Sequence, residues 1–294
     1  MTIDQEAIET VIAAIKQSKK YRDTSEETIR QLAVEAVATH KKARPAEKAV
    51  RRRLHSIMAP YLGDPDDDAA GDLLNQTFVG GDEAAIRAVC RDLMHAHLST
   101  RERLPILDTF YRDIFAVTGP PGRLLDIACG LNPLAFPWMG LPRQGTDFLA
   151  YDIHEPRIGF LNHYFILQGL PPLAFVRDVA LQAPGDSGDV ALFLKEMPRF
   201  ERNYPGRGRA LLAALDVRWL VVSFPTISTH GGRNLTNRYR EFFYQIIDGT
   251  GWPVTELLFD TELVFCAEKR PVDRETSEVE TSEVETSEVE TSEV

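Results

Sequence analysis

The second half of the chain alternates short apolar runs with helical segments, and this alternation constrains the fold most strongly. The runs that predict strands are RLLDIA, DFLAYDI, LAFVRDV, DVALFLK, RWLVVSFP and TELVFCAE. The stretches EPRIGFLNHYFILQG, RALLAALD and NRYREFFYQIIDGTG predict helices between or beside them. Continuous apolar strands separated by helices are typical of a mostly parallel sheet that is covered on both faces. The sequence therefore predicts a doubly wound α/β domain, which we place at residues 101–270.

Residues 1–100 carry no strand pattern and predict an all-helical domain. Apolar residues recur at helical spacing in QEAIETVIAAIKQS. A capping signature at Thr24 or Ser25 opens a second helix. A third helix, EKAVRRRLHSIMAPYL, is expected to close at Pro60, and Asp82 is the expected N-cap of a further one.

The carboxyl-terminal tail is acidic and repetitive. Residues 275–294 are four copies of ETSEV, and we expect residues 271–294 to be disordered because they lack the apolar side chains that form a core. This tail carries nine acids against one arginine, a net charge of −8, so it supplies most of the formal net charge of −11. The acidic balance therefore does not exclude a nucleic-acid partner, which depends on local basic patches.

Neither a membrane segment nor a metal site is indicated. No apolar run approaches the roughly 18–20 residues that span a bilayer, and the amphipathic start, MTIDQEAIETVIAAIKQSKK, is neither a secretory signal nor a transit peptide. The three cysteines, Cys90, Cys129 and Cys266, are far apart and form no CxxC pair. We expect a cytoplasmic protein without a disulfide framework or a metal.

Three aspartates follow predicted strands at a regular interval. Asp126, Asp152 and Asp178 are separated by 26 residues each time, which is about one strand–helix unit. Ligands of open α/β sheets bind beyond the carboxyl ends of the strands. A carboxylate after the second strand is placed to accept hydrogen bonds from ribose hydroxyls, and one after the third strand from an adenine amino group. The series predicts a site for an adenosine-containing ligand.

The turn after the first of these strands narrows the choice of ligand. Dinucleotide folds use G-x-G-x-x-G to let backbone amides approach a pyrophosphate, whereas here only Gly130 matches and Pro133 restricts the loop. The ligand should therefore carry adenosine without a pyrophosphate. S-adenosylmethionine meets this description; its α-carboxylate requires a cation, and its sulfonium favours a nearby carboxylate such as Asp126.

The fourth predicted strand indicates which atom accepts the methyl group. Methylation of exocyclic amines usually uses an Asn/Asp-Pro-Pro-aromatic motif there, but this chain has LFLKEMPRF. Neither Cys129, in the glycine turn, nor Cys266, in a late strand, is a plausible nucleophile for methylation at C5. Guanine N7 needs no base because its lone pair is already nucleophilic, so orientation and proximity supply most of the rate.

Basic residues are clustered in a way that suggests a structured RNA. Seven lie between His40 and His55, and further groups follow the fourth strand and the HGG sequence. We expect phosphate contacts from these clusters and flipping of the target base if it is stacked in a helix. The basic residues concerned are Lys41, Lys42, Arg44, Lys48, Arg51, Arg52, Arg53, Arg199, Arg202, Arg207, Arg209, Arg233, Arg238 and Arg240.

With these motifs, the chain resembles the aminoglycoside-resistance 16S rRNA (guanine-N7) methyltransferases of antibiotic-producing actinomycetes and resistant pathogens. The resemblance implies a Rossmann-like class I methyltransferase domain and a helical domain that docks on the small (30S) ribosomal subunit. It also implies transfer to guanine N7 in the decoding A site, which blocks gentamicin- and kanamycin-type drugs. The segments that carry it are HLSTRERLP, LDIACGLNPLA, LFLKEMP, SFPTISTHGGR and ELVFCAEK.

The resemblance also implies roles for the donor residues. Arg103 of STRER would pair with the donor's carboxylate, with Arg101 as the second choice. Gly130 would lie under the methionine moiety, and Asp152 would hold the ribose. The full predicted donor site comprises Arg103, Arg101, Asp126, Ala128, Gly130, Asp152, Ile153, Asp178 and Val179, of which the last two would border the adenine.

On the acceptor side, the resemblance implies that Lys195 and Met197 face the target nucleotide and that Arg233 contacts the RNA backbone. This chain departs from many relatives in two places. Glu196 stands where they have Thr, and STHGGR replaces a Leu-containing SLGGR. Both departures bear on contacts with the target rather than with the donor.

Three alternatives remain open from the sequence. The first is methylation of an A-site adenine at N1. The second is a nucleotide-dependent oxidoreductase, against which the absence of G-x-G-x-x-G counts. The third is a ribosome-binding module with a vestigial methyltransferase fold, against which the intact Asp126, Gly130, Asp152 and Asp178 count.

Overall fold

The computed structural model describes residues 4–58, 66–228 and 232–269. Seven strands form one sheet. They are β1 Arg123–Ile127, β2 Asp147–Asp152, β3 Ala174–Val176, β4 Ser187–Leu194, β5 Asp216–Pro225, β6 Val254–Leu258 and β7 Glu262–Glu268. Their order in the sheet is β3-β2-β1-β4-β5-β7-β6.

Helices surround this sheet and also precede it. They are α1 Gln5–Lys16, α2 Glu26–His40, α3 Ala43–Met58, α4 Asp67–Gly80, α5 Glu83–Ala96, α6 Leu98–Arg103, α7 Leu107–Thr118, α8 Phe136–Met139, α9 Glu155–Gln168, α10 Met197–Asn203, α11 Arg207–Ala214 and α12 Thr236–Ile246. Short 3-10 turns occupy Leu104–Ile106 and Asn132–Ala135.

The sheet is parallel from β3 through β5 and antiparallel at β7 and β6. Strand β1 lies inside the sheet between β2 and β4, where Asp126 pairs in register with Ala150 of β2 and Leu192 of β4. The chain winds outward from β1 in both directions, so the carboxyl end of β1 is the switch point at which such sheets bind ligands. The predicted doubly wound α/β fold is confirmed.

Among the strands of the described residues, β6 is the one that the sequence did not predict, and among the helices α4 was missed because its start, within GDPDDDAAGD, was expected to be a loop. Strand β6 lies at the sheet edge and pairs with β7 only. Its side chains are half-buried or exposed, and Leu258 is 64% exposed. An edge strand does not need the continuous apolar run by which the other strands are recognised. Helices α6 and α7, within STRERLPILDTFYRDIFAVT, were also not assigned from the sequence.

Both predicted helix caps are present. Ser25 accepts a hydrogen bond from the backbone amide of Thr28 (3.2 Å), and Asp82 accepts one from that of Ala84 (2.8 Å). These bonds satisfy amides that have no partner within the first turn. The predicted helix stop at Pro60 and the ETSEV tail lie outside the described residues.

The packing separates the helices into two groups. The apolar residues of α1, α2 and α3 form a core of their own. In contrast, α4 and α5 pack with α7 and α9 on one face of the sheet, and α10, α11 and α12 cover the other. Residue 100, the expected domain boundary, lies within α6, so we propose that the separate helical unit ends near Met58. Among the described residues, no helix has the length and apolarity to cross a membrane.

Candidate active site

The turn after β1 fixes a carboxylate at the end of β2. Ala128 and Gly130 both adopt left-handed backbone conformations, with φ of 53° and 54°. This turn directs the Gly130 amide at Asp152, whose Oδ2 accepts its hydrogen bond (2.9 Å), while the amide of His154 donates to Oδ1 (3.1 Å). Asp152 is 1% exposed. Two charge-assisted bonds therefore hold this carboxylate rigidly at the predicted position for ribose.

Replacing Gly130 with alanine should weaken donor binding at least tenfold and lower the melting temperature. An added Cβ would lie 2.9 Å from His97 Nε2 in a backbone conformation that side chains disfavour. Gly140→Ala is the matched control, since Gly140 has φ of +66° but open space around its Cβ position. Titration with S-adenosylhomocysteine and thermal unfolding measure both effects. Equal behaviour of the two variants would contradict the proposed close packing of this turn.

Two adjoining cavities lie beyond the carboxyl ends of the parallel strands. The smaller is bordered by Asp152, Ile153, Asp178 and Val179. The larger, of about 420 Å³, is bordered by Gly130 and by residues that follow β4 and β5. Both include the same three residues, namely Ala128, Glu196 and Arg199. The two cavities therefore adjoin at these three residues, and together they are called the cleft below, with Asp152 and Asp178 at its smaller end and Gly130 and Lys195 at its larger end.

Asp178 borders the smaller cavity and is held at both oxygens. Its Oδ1 accepts a hydrogen bond from the amide of Ala180 (2.9 Å). Its Oδ2 accepts one from the hydroxyl of Thr28 (2.8 Å), which belongs to α2. Burial raises the pKa of Asp178, and the Thr28 hydrogen bond acts in the opposite direction. Thr28 was not predicted, because its contact joins residues 150 positions apart in the chain.

The predicted carboxylate-binding arginine is engaged by protein groups. Arg103 is 2% exposed. It donates from Nε and Nη2 to Glu262 (3.0 and 2.8 Å) and from Nη1 to Asn132 Oδ1 (2.6 Å). Burial would lower the pKa of Arg103, but the Glu262 carboxylate keeps it above its ordinary value. Arg103 does not border either cavity, and Arg101 is exposed. Their roles toward the donor carboxylate stay predictions.

Asp126 belongs to the same buried network. It is 1% exposed and accepts a hydrogen bond from Asn132 Nδ2 (2.8 Å), so Asn132 joins it to Arg103. Burial raises the pKa of Asp126 to about 8, against the opposing effects of Asn132 and Arg103. Asp126 borders neither cavity. The role of Asp126 beside the sulfonium stays a prediction. In this structure, its hydrogen bond with Asn132 supports the turn that follows β1.

Lys195 enters the larger cavity from the end of β4. Its backbone is left-handed, with φ of 61°, and its Nζ donates to Glu102 (2.6 Å). Glu262 Oε2 lies 3.8 Å from the same Nζ and its Oε1 accepts a hydrogen bond from the Ser223 hydroxyl (2.5 Å). Glu262 therefore connects Lys195 with the Arg103 network. Met197, in contrast, is fully buried and borders neither cavity, so its predicted contact with the target is untested.

Glu196 lies where the two cavities meet. Its carboxylate accepts hydrogen bonds from Arg199 Nε (2.8 Å), and Arg199 Nη2 lies 2.7 Å from its other oxygen. Burial raises the pKa of Glu196, while Arg199 opposes that shift. Arg199 also donates to the backbone oxygen of Ile57 at the end of α3. The pair thus links the helical unit to the cleft.

The predicted RNA-binding residues fall into several groups. Five of them are exposed on or before α3, namely Lys41, Lys42, Arg44, Lys48 and Arg52. Arg51 is half-buried and pairs with Glu47 (2.7 Å), and the guanidinium of Arg53 lies 5.2 Å from the Tyr204 ring centroid.

The other predicted basic residues lie in the segments of the chain that follow strands β4 and β5. Arg202 borders the larger cavity and also a groove that includes Arg52 and Arg53, so it joins α3 to the cleft. Arg233 borders the larger cavity. Arg207 donates to the Ala180 backbone oxygen (2.9 Å), and Arg209 is exposed on α11. Arg202 and Arg233 therefore border the larger cavity, and Arg202 connects it with the groove that Arg52 and Arg53 line.

Comparison with known proteins assigns the family. The model of the family described as "Ribosomal RNA methyltransferase (FmrO)" matches residues 17–266. The chain belongs to this family. Among its relatives, a protein of Frankia casuarinae is 34% identical over 90% of this chain and 95% of its own length. A protein of Micromonospora echinospora is 34% identical over 90% and 98%. Both are named 16S rRNA (guanine(1405)-N(7))-methyltransferase.

Solved structures of methyltransferases share this architecture. The 16S rRNA methyltransferase RmtF, in complex with S-adenosyl-L-homocysteine, has a TM-score of 0.76 and 32% identity and covers 92% of this chain and 100% of its own. The 16S rRNA methylase RmtB has a TM-score of 0.74 and 30% identity, with the same coverage. The predicted Rossmann-like class I methyltransferase fold is confirmed.

Proposed function

We propose that this methyltransferase transfers the methyl group of S-adenosylmethionine to N7 of a guanine in the decoding A site of 16S rRNA. The relatives described above support the reaction and the RNA. The observation that carries the proposal is the cleft, in which Asp152 and Asp178 mark the adenosine end and Arg202 and Arg233 border the other. We expect a cytoplasmic enzyme that acts on the assembled small subunit and confers resistance to gentamicin- and kanamycin-type drugs.

The donor supplies an electrophilic methyl group on a sulfonium when it is bound. The residues present fit it: Asp152 offers an immobilised carboxylate to the ribose hydroxyls, and Asp178 offers one to the adenine amino group. Gly130, in the left-handed turn after β1, borders the larger cavity without a side chain of its own, so the methionine end of the donor can approach its backbone. These residues bind and orient, and they do not exchange protons in the reaction.

The acceptor end of the cleft suits a nucleophile that needs no base. Guanine N7 carries a free lone pair, so the protein has only to align it with the methyl group. Lys195 is ion-paired with Glu102, and Glu196 with Arg199. We propose that these pairs hold fixed hydrogen-bonding groups around the target base rather than abstract a proton.

Removing three exposed charges from α3 should weaken binding of the small subunit in a salt-dependent manner. We expect the variant Arg44→Gln, Lys48→Gln, Arg52→Gln to reduce the slope of log K against log salt by about 3, since each phosphate contact contributes about 1. The matched control is Arg112→Gln, Arg123→Gln, Arg143→Gln, whose side chains are 68%, 46% and 50% exposed and lie outside the cleft. Filter binding at several salt concentrations measures the slope of log K against log salt for both variants. Equal slopes in the two variants would contradict a role of α3 in docking.

Transfer of labelled methyl groups tests the proposed function. Purified protein is incubated with labelled S-adenosylmethionine and, separately, with small subunits, large subunits and free 16S rRNA. We expect incorporation that approaches one methyl group per small subunit and none in large subunits. Donor binding without transfer to any of these particles would contradict the proposal and favour the vestigial-module alternative.

A further inference from the structure

The amino end of α2 packs on the loop that follows β2. The amide of Ser25 donates to the Ile153 backbone oxygen (2.8 Å), and the amide of Glu155 donates to that of Asp23 (2.9 Å). Thr24 and His154 form an isolated antiparallel bridge between these hydrogen bonds. The helical unit is therefore attached by its backbone to the residues directly after Asp152.

A chain of hydroxyl groups runs from this attachment to Asp178. Ser25 Oγ caps α2 by accepting from the Thr28 amide (3.2 Å), and it also lies 2.7 Å from Thr28 Oγ1. Thr28 Oγ1 donates to Asp178 Oδ2 (2.8 Å). Because the carboxylate accepts the Thr28 proton, the Ser25 hydroxyl is left to donate to Thr28. Each group thus has a single direction of donation, which fixes the rotamers of both hydroxyls.

The hydrogen bond between Thr28 and Asp178 is shielded from water by burial. Thr28 is 1% exposed and Asp178 is 4% exposed, so water does not readily replace the hydroxyl. The Ala180 amide donates to Oδ1 and the Thr28 hydroxyl donates to Oδ2, so the carboxylate group cannot rotate freely about its bond to Cβ. The backbone amide of Leu181 is a third donor to this carboxylate, so one of its about four lone-pair sites remains for a further donor. An adenine amino group is such a donor.

We propose that Thr28 is a positioning residue of the donor site, whose hydroxyl holds the Asp178 carboxylate in the orientation that recognises the amino group of adenine. The helical unit then takes part in donor recognition as well as in docking on RNA. The inference rests on the proposed function, which assigns the cleft to S-adenosylmethionine.

The test compares two ligands that differ only at the adenine amino group. S-adenosylhomocysteine carries this group, whereas S-nebularinylhomocysteine, whose base is unsubstituted purine, has a hydrogen in its place. We expect Thr28→Val to lower affinity for S-adenosylhomocysteine by about tenfold, which is the size of a lost hydrogen bond to a charged group. Affinity for S-nebularinylhomocysteine should change by less than about twofold, so the preference for adenine shrinks.

Two further variants separate positioning from a general loss of stability. Thr28→Ser keeps the hydroxyl and should keep the wild-type preference for adenine. Thr39→Val removes a hydroxyl from the same helix that is exposed and bonds only to the backbone oxygen of Glu35 (3.0 Å), so both affinities should stay unchanged. Isothermal titration calorimetry gives the affinities, and circular dichroism melting shows that each variant is folded.

The outcomes are distinguishable. Equal loss of affinity for both ligands in Thr28→Val, unchanged affinity for S-adenosylhomocysteine, or loss of the preference in Thr28→Ser would each overturn the role of Thr28 while leaving the proposed function in place. A folded wild-type protein that binds neither S-adenosylmethionine nor S-adenosylhomocysteine would overturn both.

Discussion

Replacing Glu262 with glutamine is expected to lower the free energy of unfolding by about 3 kcal/mol or more. Glu262 is fully buried and is the two-point partner of the Arg103 guanidinium. Its oxygen also accepts the hydroxyl of Ser223. The substitution preserves shape but leaves a buried positive charge without its counter-ion, and this is what makes the loss of one member of a buried pair costly. Urea unfolding followed by circular dichroism measures the change.

Glu268→Gln provides the matched control on the same strand. Glu268 pairs with Arg218 at 2.9 Å, but the Arg218 side chain is 43% exposed. Ion pairs that water can reach contribute up to about 1 kcal/mol, so we expect a much smaller change. Equal destabilisation by the two substitutions would show that the Arg103 network does not support the fold as described.

Replacing Asp152 with asparagine should weaken donor binding by roughly 10- to 100-fold, equivalent to about 1–3 kcal/mol. Both oxygens of Asp152 accept backbone amides, from Gly130 and from His154. An amide group places an NH₂ against one of those donors, so the turn shifts and the ribose loses its charged acceptor. Titration of the variant with S-adenosylhomocysteine measures the effect.

Asp147→Asn is the control for this experiment. Asp147 is the first residue of the same strand, so it lies at the opposite end of β2 from the cleft. It pairs with Arg123 at 3.0 Å, and its side chain is 42% exposed. We expect its donor affinity to match the wild type. Wild-type affinity in Asp152→Asn would mean that the ribose is bound elsewhere.

The fold was largely predictable because most strands and helices are marked by patterns of apolar residues within their own short segments of sequence. Buried parallel strands need continuous apolar runs, and these were found for every strand except β6, which lies at the edge and is half-exposed. Helix α5 was recognisable by its periodicity, whereas α4 was not predicted because its acidic start has the composition of a loop, and periodicity does not say which core a helix packs against. The expected domain boundary at residue 100 therefore fell within α6, beyond two helices that pack on the sheet.

The residues that border the two cavities were predictable from the sequence only where the fold itself fixes a residue's position. Asp152, Asp178 and Gly130 follow strand ends, and the topology of the sheet brings strand ends together. Thr28 and Glu262 gave no such signal because their partners are 150 and 159 residues away in the chain. Those contacts arise from the docking of α2 and from the antiparallel return of β7, which no local pattern reveals.

The most direct test of the central claim is the identity and position of the methylated base. Small subunits modified by the enzyme are digested with nuclease, and the fragments are analysed by mass spectrometry. We predict a single N7-methylguanine in the decoding A site of 16S rRNA. Methylation of an A-site adenine at N1, or of a base outside the A site, would contradict the account.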